Sequence, residues 1–189
     1  MANKYLVIID MQKTFIFSEE EHFNRHSSAR DIVETLRRLP QKIRNFVSEH
    51  KSKFNYGILT KFVNTSNSSF VKYLSYCGRM ASSEEIKLVD EIFDLANEYR
   101  YSIFEKNTYS IFKNRQVLDF LENNHITPLF PAGVCLEGCI LPNAFDGSDL
   151  GYNVKIVENL FSSAYGKQAY DSGIIILKEF LPTLLMATE

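Results

Sequence analysis

The stretch Lys4-Tyr5-Leu6-Val7-Ile8-Ile9-Asp10 is a nearly continuous apolar run with β-branched members that ends at a charged residue. Such a run reads as a strand buried on both faces, the kind found inside a parallel sheet. The pattern then turns helical. Ile32, Leu36, Leu39, Ile43, Phe46 and Val47 recur at three- and four-residue spacing up to about Glu49, with charges between them. Ser27 or Ser28 supplies an N-cap, and Pro40 is expected to kink or divide this helix. A second strand, Tyr56 to Val63, runs into the polar cluster Asn64 to Ser69.

The alternation continues to the end of the chain. Ser82 or Ser83 caps a helix through Ile86, Val89, Ile92, Phe93 and Leu95, and Tyr101 to Lys106 reads as a third strand. A helix over Gln116 to Asn123 leads to a strand over Thr127 to Val134. Glu137 to Leu150 reads as helical and closes at Gly151 in a C-cap position. Asn153 to Val157 gives a fifth strand, about Gly166 to Glu179 a helix, and Thr183 to Met186 a sixth strand. Strands alternating with helices predict an α/β fold: a three-layer Rossmann-like sandwich, with a six-stranded parallel sheet, helices on both faces and right-handed crossovers. No repeat, low-complexity tract or linker stands out, so residues 1–189 read as a single domain.

Composition narrows the partners. Hydrophobic residues at 45% and charged residues at 23% are the proportions of a soluble globular protein. With 21 basic against 23 acidic residues the net charge is −2, which gives no support for nucleic-acid binding. No stretch approaches the roughly 18 apolar residues of a membrane span, and the N-terminal apolar run is too short for a signal peptide. Cys77, Cys135 and Cys139 are too few and too odd in number for a disulfide framework, so a reducing cytoplasm is expected. A small-molecule partner is expected, and 15 Phe with 10 Tyr suit a flat surface covered by a second subunit.

In parallel sheets ligands bind beyond the carboxyl ends of the strands. Asp10, Asn64, Lys106 and the Cys135–Cys139 turn stand at four such ends. Gly133-Val134-Cys135-Leu136-Glu137-Gly138-Cys139-Ile140 runs from a strand through a glycine-bearing turn into a helix. Free amides and the helix dipole there favour a thiolate at Cys139 and can hold a developing oxyanion. A cysteine also packs as a small buried apolar residue, and a Cys135–Cys139 redox pair is a third reading, with spacing unlike C-x-x-C. Asp10, ending an apolar strand, is partly desolvated and suited to general-base work, or else serves as a turn or cap residue. Lys106 leaves its strand in the same manner, where a solvated lysine is the bland alternative. Together an acid, a cation and a thiol at one sheet edge fit the logic of covalent catalysis.

Three motifs in order carry a family resemblance. Leu6 to Phe15 resembles a strand ending in D-x-Q-x-x-F, and Lys106 to Phe112 resembles K-x-x-Y-S-x-F. Gly133 to Tyr152 is similar to a nucleophile block with a cysteine six residues after the glycine. The pattern resembles the isochorismatase-like cysteine hydrolases, which include N-carbamoylsarcosine amidase and nicotinamidase. The resemblance implies a triad of Asp10, Lys106 and Cys139, a non-proline cis peptide at Val134–Cys135, and an oxyanion hole from the amides of Cys135 and Cys139. It also implies a homo-oligomer. Leu136 stands where family members often carry threonine, and Asn143 and Gly147 replace more usual small or hydroxyl residues.

The implied reaction is cleavage of a C–N bond in a small amide or carbamoyl compound through a thioester. Vinyl-ether hydrolysis without a covalent intermediate, and a non-catalytic binding or assembly role, are the alternatives. Phe15, Phe62 and Phe112, just beyond strand ends, are expected to shape the substrate pocket, though each also suits the core. No cofactor is expected. The nicotinamidase branch carries a D-x-H metal pattern after its second strand, and Thr60 to Asn64 holds neither Asp nor His. His22 and His26 have i, i+4 spacing without an apparent third ligand, so no metal is expected.

Overall fold

A computed structural model describes residues 4–17, 30–63, 84 and 86–186. The serines at 27, 28, 82 and 83, the cluster 64–69, His22, His26 and Cys77 lie outside the described residues. The first apolar run forms strand β1, Tyr5–Ile9, with all five residues buried. Alternate side chains point to opposite faces. Leu6 and Ile8 join one core cluster, whereas Tyr5, Val7 and Ile9 join another.

Those two clusters are the two layers of helix. The Leu6/Ile8 face is covered by α1 (Lys13–Phe17), α2 (Arg30–Glu49) and α3 (Asp90–Glu98). The Val7/Ile9 face is covered by α4 (Arg115–Asn123), α5 (Leu141–Asp149) and α6 (Lys167–Phe180). Between the layers, β1 pairs in parallel with β2 (Tyr56–Phe62) on one side and β4 (Leu129–Val134) on the other. β3 (Arg100–Lys106) pairs with β2, placing Lys106 opposite Phe62. β6 (Phe161–Ser162) pairs with β4, which gives a five-stranded sheet of order β3-β2-β1-β4-β6. The α/β class, the parallel sheet and the helices on both faces are those expected.

The structure differs in how the last strands are placed. The segment expected as strand five starts beside β4, where Val154 bridges Leu129, and the Lys155 amide donates to Leu129 O at 2.8 Å. It then leaves the sheet as β5 (Ile156–Val157) and pairs with β7 (Leu185–Met186), the expected strand six. Asn159, at φ 69, turns the chain back so that β6 takes the place next to β4. Two residues are too few for periodicity to reveal.

α2 is not divided at Pro40, and α3 departs from the expected start. α2 runs unbroken through Pro40, with Leu39 and Ile43 fully buried on either side of it, so face burial keeps the helix whole. α3 starts at Asp90, several residues late. Residues 87–89 are held extended by Lys13 N donating to Lys87 O, Val89 N donating to Met11 O, and a Gln12–Leu88 bridge. Among the described residues no helix is long and apolar enough to cross a membrane.

Candidate active site

The carboxyl ends of β1, β3 and β4 meet at one rim. Asp10 follows β1 with a left-handed φ of 53, a conformation Asp tolerates better than most residues. Thr60 of β2 fixes it: the Asp10 amide donates to Thr60 Oγ1 at 3.2 Å, and Thr60 Oγ1 donates to Asp10 Oδ1 at 2.7 Å. Gln12, fully buried, locks the following turn to β2 by accepting from Phe62 N at 2.7 Å and donating to Phe62 O at 3.0 Å. Lys106, at the end of β3, donates to Asp10 Oδ2 at 2.5 Å and to Thr108 O at 2.9 Å. Both side chains of this ion pair are withdrawn from solvent.

Cys139 completes the cluster. Its Sγ lies 3.5 Å from Asp10 Oδ2 and 3.8 Å from Lys106 Nζ. The cysteine sits inside a π-helical turn, Leu136–Ile140, which joins β4 to α5. Its electrostatics therefore differ from those expected of a free helix N-terminus. Burial pushes the Cys139 thiol up to about 12, outweighing the downward pull of Lys106. The Cys139 amide is already spent, donating to Cys135 O at 2.7 Å. For Lys106, burial pulls the ammonium down, but Asp10 and Cys139 more than offset it, so the net direction is upward and it stays charged.

The Val134–Cys135 peptide bond is cis. The Cys135 backbone pulls the Cys139 thiol down, a smaller influence than burial. The Cys135 thiol is buried and pushed well up by that burial, the Ala164 backbone opposing it only in part. Both cysteines are free thiols.

A cavity of about 430 Å³ opens on this cluster. Phe15, Phe62, Tyr109 and Tyr165 line it, together with Asp10, Cys135, Glu137 and Cys139. Phe112, grouped with Phe15 and Phe62 from the sequence, is not part of this wall. It is buried in the core against Tyr152, ring centroids 5.1 Å apart, over Gly147, where a Cβ would come within 2.8 Å of its ring. The 3₁₀ turn Ile111–Lys113 carries the ring inward, away from the rim.

Sequence reasoning missed Tyr109 and Tyr165 in the wall and the polar residues that hold the site. Thr60 is the partner of Asp10, and parallel strand register is the only signal that could have found it. Asn143 lies one helical turn after Cys139; it accepts from Ile111 N at 2.9 Å and donates to Cys139 O at 2.7 Å and Tyr109 O at 3.4 Å. Glu137 faces the cavity, and Ser163, beyond β6, donates to its Oε1 at 2.6 Å. A charged residue within the nucleophile turn was the available sign.

The end of β2 offers poor metal ligands. The Thr60 hydroxyl is committed to Asp10, Lys61 lies 3.4 Å from Glu105, and Phe62 forms the pocket wall. Among the described residues no cluster of three or more His, Cys, Asp or Glu is placed to hold a metal ion.

A search of curated proteins returned no match to this chain. Solved structures share the fold. The nicotinamidase of Bacillus subtilis superposes with a TM-score of 0.73 at 18% identity, covering 98% of this chain and 100% of its own. N-carbamoylsarcosine amidase from Thermoplasma acidophilum gives 0.72 at 15% identity, covering 99% and 96%. An isochorismatase-like hydrolase from Alkaliphilus metalliredigens gives 0.72 at 12% identity, covering 98% and 93%. At these identities the likeness establishes the fold. The sequence profile of the isochorismatase domain matches residues 4–186, nearly the whole chain. By that match the chain belongs to the isochorismatase-like hydrolase family.

Proposed function

We propose that the protein is a cysteine-dependent hydrolase that cleaves a C–N bond of a small amide or carbamoyl compound through a thioester. One observation carries this reading: the Cys139 sulfur stands 3.5 Å from a carboxylate oxygen that is itself paired with a buried ammonium, at the wall of a cavity. The nicotinamidase and N-carbamoylsarcosine amidase names among the structural neighbours support the bond class.

Burial keeps Cys139 a thiol near neutral pH, so the proton must leave as the sulfur attacks. Asp10 Oδ2 takes it while the S–C bond forms at the substrate carbonyl, and Lys106 balances the negative charge passing between sulfur and carboxylate. The Cys135 amide, at the turn that carries the sulfur, donates to the tetrahedral oxyanion. The Cys139 amide joins it only by sharing its bond to Cys135 O. Collapse breaks the C–N bond and the leaving nitrogen takes the proton from Asp10. Asp10 then deprotonates a water that attacks the thioester, releasing the acid and returning the proton to sulfur.

The reading treats the chain as one hydrolase domain in the cytoplasm, with a small-molecule substrate. It also includes self-association, which the exposed Ile175 and Phe180 of α6 support and sedimentation velocity would measure. The decisive experiment is a screen of small amides, carbamoyl compounds and ureides for ammonia release. On a substrate so found, Cys139→Ala should lower turnover to about 10⁻³ of wild type or less with an unchanged circular dichroism spectrum. Mass spectrometry of quenched wild-type enzyme should show an acyl adduct on Cys139. Wild-type turnover by Cys139→Ala would end the covalent reading.

A further inference from the structure

Glu137 has no part in the chemistry above, yet it lines the same cavity two residues before Cys139. Its position is built. Ser163 is fully buried, accepts from Tyr165 N at 2.9 Å, and donates to Glu137 Oε1 at 2.6 Å. Oε2 is buried and has no hydrogen-bond partner among the described residues. Lys106, the nearby cation of the site, is committed to Asp10. Burial pushes the Glu137 carboxyl up, with the Ser163 hydroxyl and its own amide pulling it back only in part. An oriented, buried acceptor without a donor is costly, and a ligand that brings an N–H recovers that cost with a charge-assisted hydrogen bond.

We propose that Glu137 is a specificity-determining residue whose Oε2 accepts an N–H from the non-reacting part of the substrate, so the site takes carbonyl compounds bearing a second nitrogen donor. A ureido group and a protonated amine share that donor chemistry. Phe15, Phe62 and Tyr165 supply an apolar wall for the rest of the molecule. The inference rests on the hydrolase reading for the word substrate; the contact itself needs no turnover.

The test is therefore a binding measurement in the Cys139→Ala background. Phenylurea (a neutral donor), benzylammonium (a cationic donor) and acetophenone (a ring and carbonyl with no N–H) are titrated by ligand-observed NMR into Cys139→Ala alone and with Glu137→Gln or Glu137→Leu. At least one donor probe should bind about tenfold more tightly than acetophenone, and Glu137→Leu should remove the advantage. Glu137→Gln, nearly the same shape and able to accept, should keep much of the advantage for phenylurea and lose it for benzylammonium, which separates the two donor sources. Equal affinity for all three probes, or a donor preference that survives Glu137→Leu in a folded protein, overturns the proposal. If ammonia release fails while the Glu137-dependent preference holds, hydrolysis is wrong and the recognition contact stands. The reverse pattern leaves the hydrolase without this contact.

Discussion

At the scale of single residues, Asn143 holds together what the triad requires. One side chain accepts from the buried amide of Ile111 and donates to the carbonyls of Cys139 and Tyr109, so it joins the turn after β3 to the turn carrying the sulfur. Asn143→Leu leaves that buried donor and two acceptors unmet, each at about 1–3 kcal/mol. We expect a lower melting temperature and a kcat reduced by about tenfold or more, with KM nearly unchanged, because the substrate does not touch this side chain. A variant that raised KM at constant kcat would instead make Asn143 a binding residue. The sequence exposed the residues with distinctive chemistry, Asp10, Lys106 and Cys139, because each ends a readable strand or opens a readable turn. It hid those that hold them. Thr60 and Asn143 are ordinary polar residues whose roles depend on register and on facing elements, and Phe112 misled because proximity to a strand end says nothing of which way a turn carries a ring.

At the scale of elements, strands buried on both faces were legible because short, β-branched apolar runs such as Leu6 to Ile9 suit a core-crossing strand. The short strands were not, since β5, β6 and β7 are each two residues long and are defined by their partners. The start of α3 was obscured in the same way, by a tertiary bridge from Gln12 that outcompetes local helix propensity. The β1–β4 pairing brings the acid and the nucleophile to one edge, and Gly133 permits it. At φ 109 it lies opposite Ile9, where a Cβ would sit 2.3 Å from Ile9 O. Gly133→Ala must either part the strands or twist the backbone, and should cost about 4 kcal/mol or more. Gly151 is the control, with φ 82 and nothing within 4 Å of an added Cβ, so Gly151→Ala should lose only about 1 kcal/mol of backbone preference. Urea unfolding of the two variants measures the contrast, and similar losses would show that strand approach at Gly133 is not tight.

At the scale of the whole molecule, the buried acids and ammonium act together on alkaline stability. Cys139 is moved from 9.0 to about 12, and Cys135, Tyr101 and Lys106 are also pushed upward, the first three mainly by burial and Lys106 by its partners against burial. A folded-state value above the unfolded one means that the native protein holds more protons across the interval between them. Stability therefore falls as pH rises through that interval, by up to about 1.4 kcal/mol per pH unit for each group titrating. For the cysteines the loss begins near pH 9, and for Lys106 it begins above 10.5, so the fold should be markedly weaker at pH 11 than at pH 8. Replacing the sulfur separates the contributions. Cys139→Ala removes a group that the folded state keeps protonated, so its urea midpoint should decline less steeply than wild type between pH 9 and 11. The shallower slope follows only if Cys139 is a suppressed thiol in the resting protein, as general-base activation by Asp10 requires. Parallel slopes in the two proteins would mean that the sulfur titrates as it does in the unfolded chain, and Asp10 would then have no proton to remove from it above pH 9.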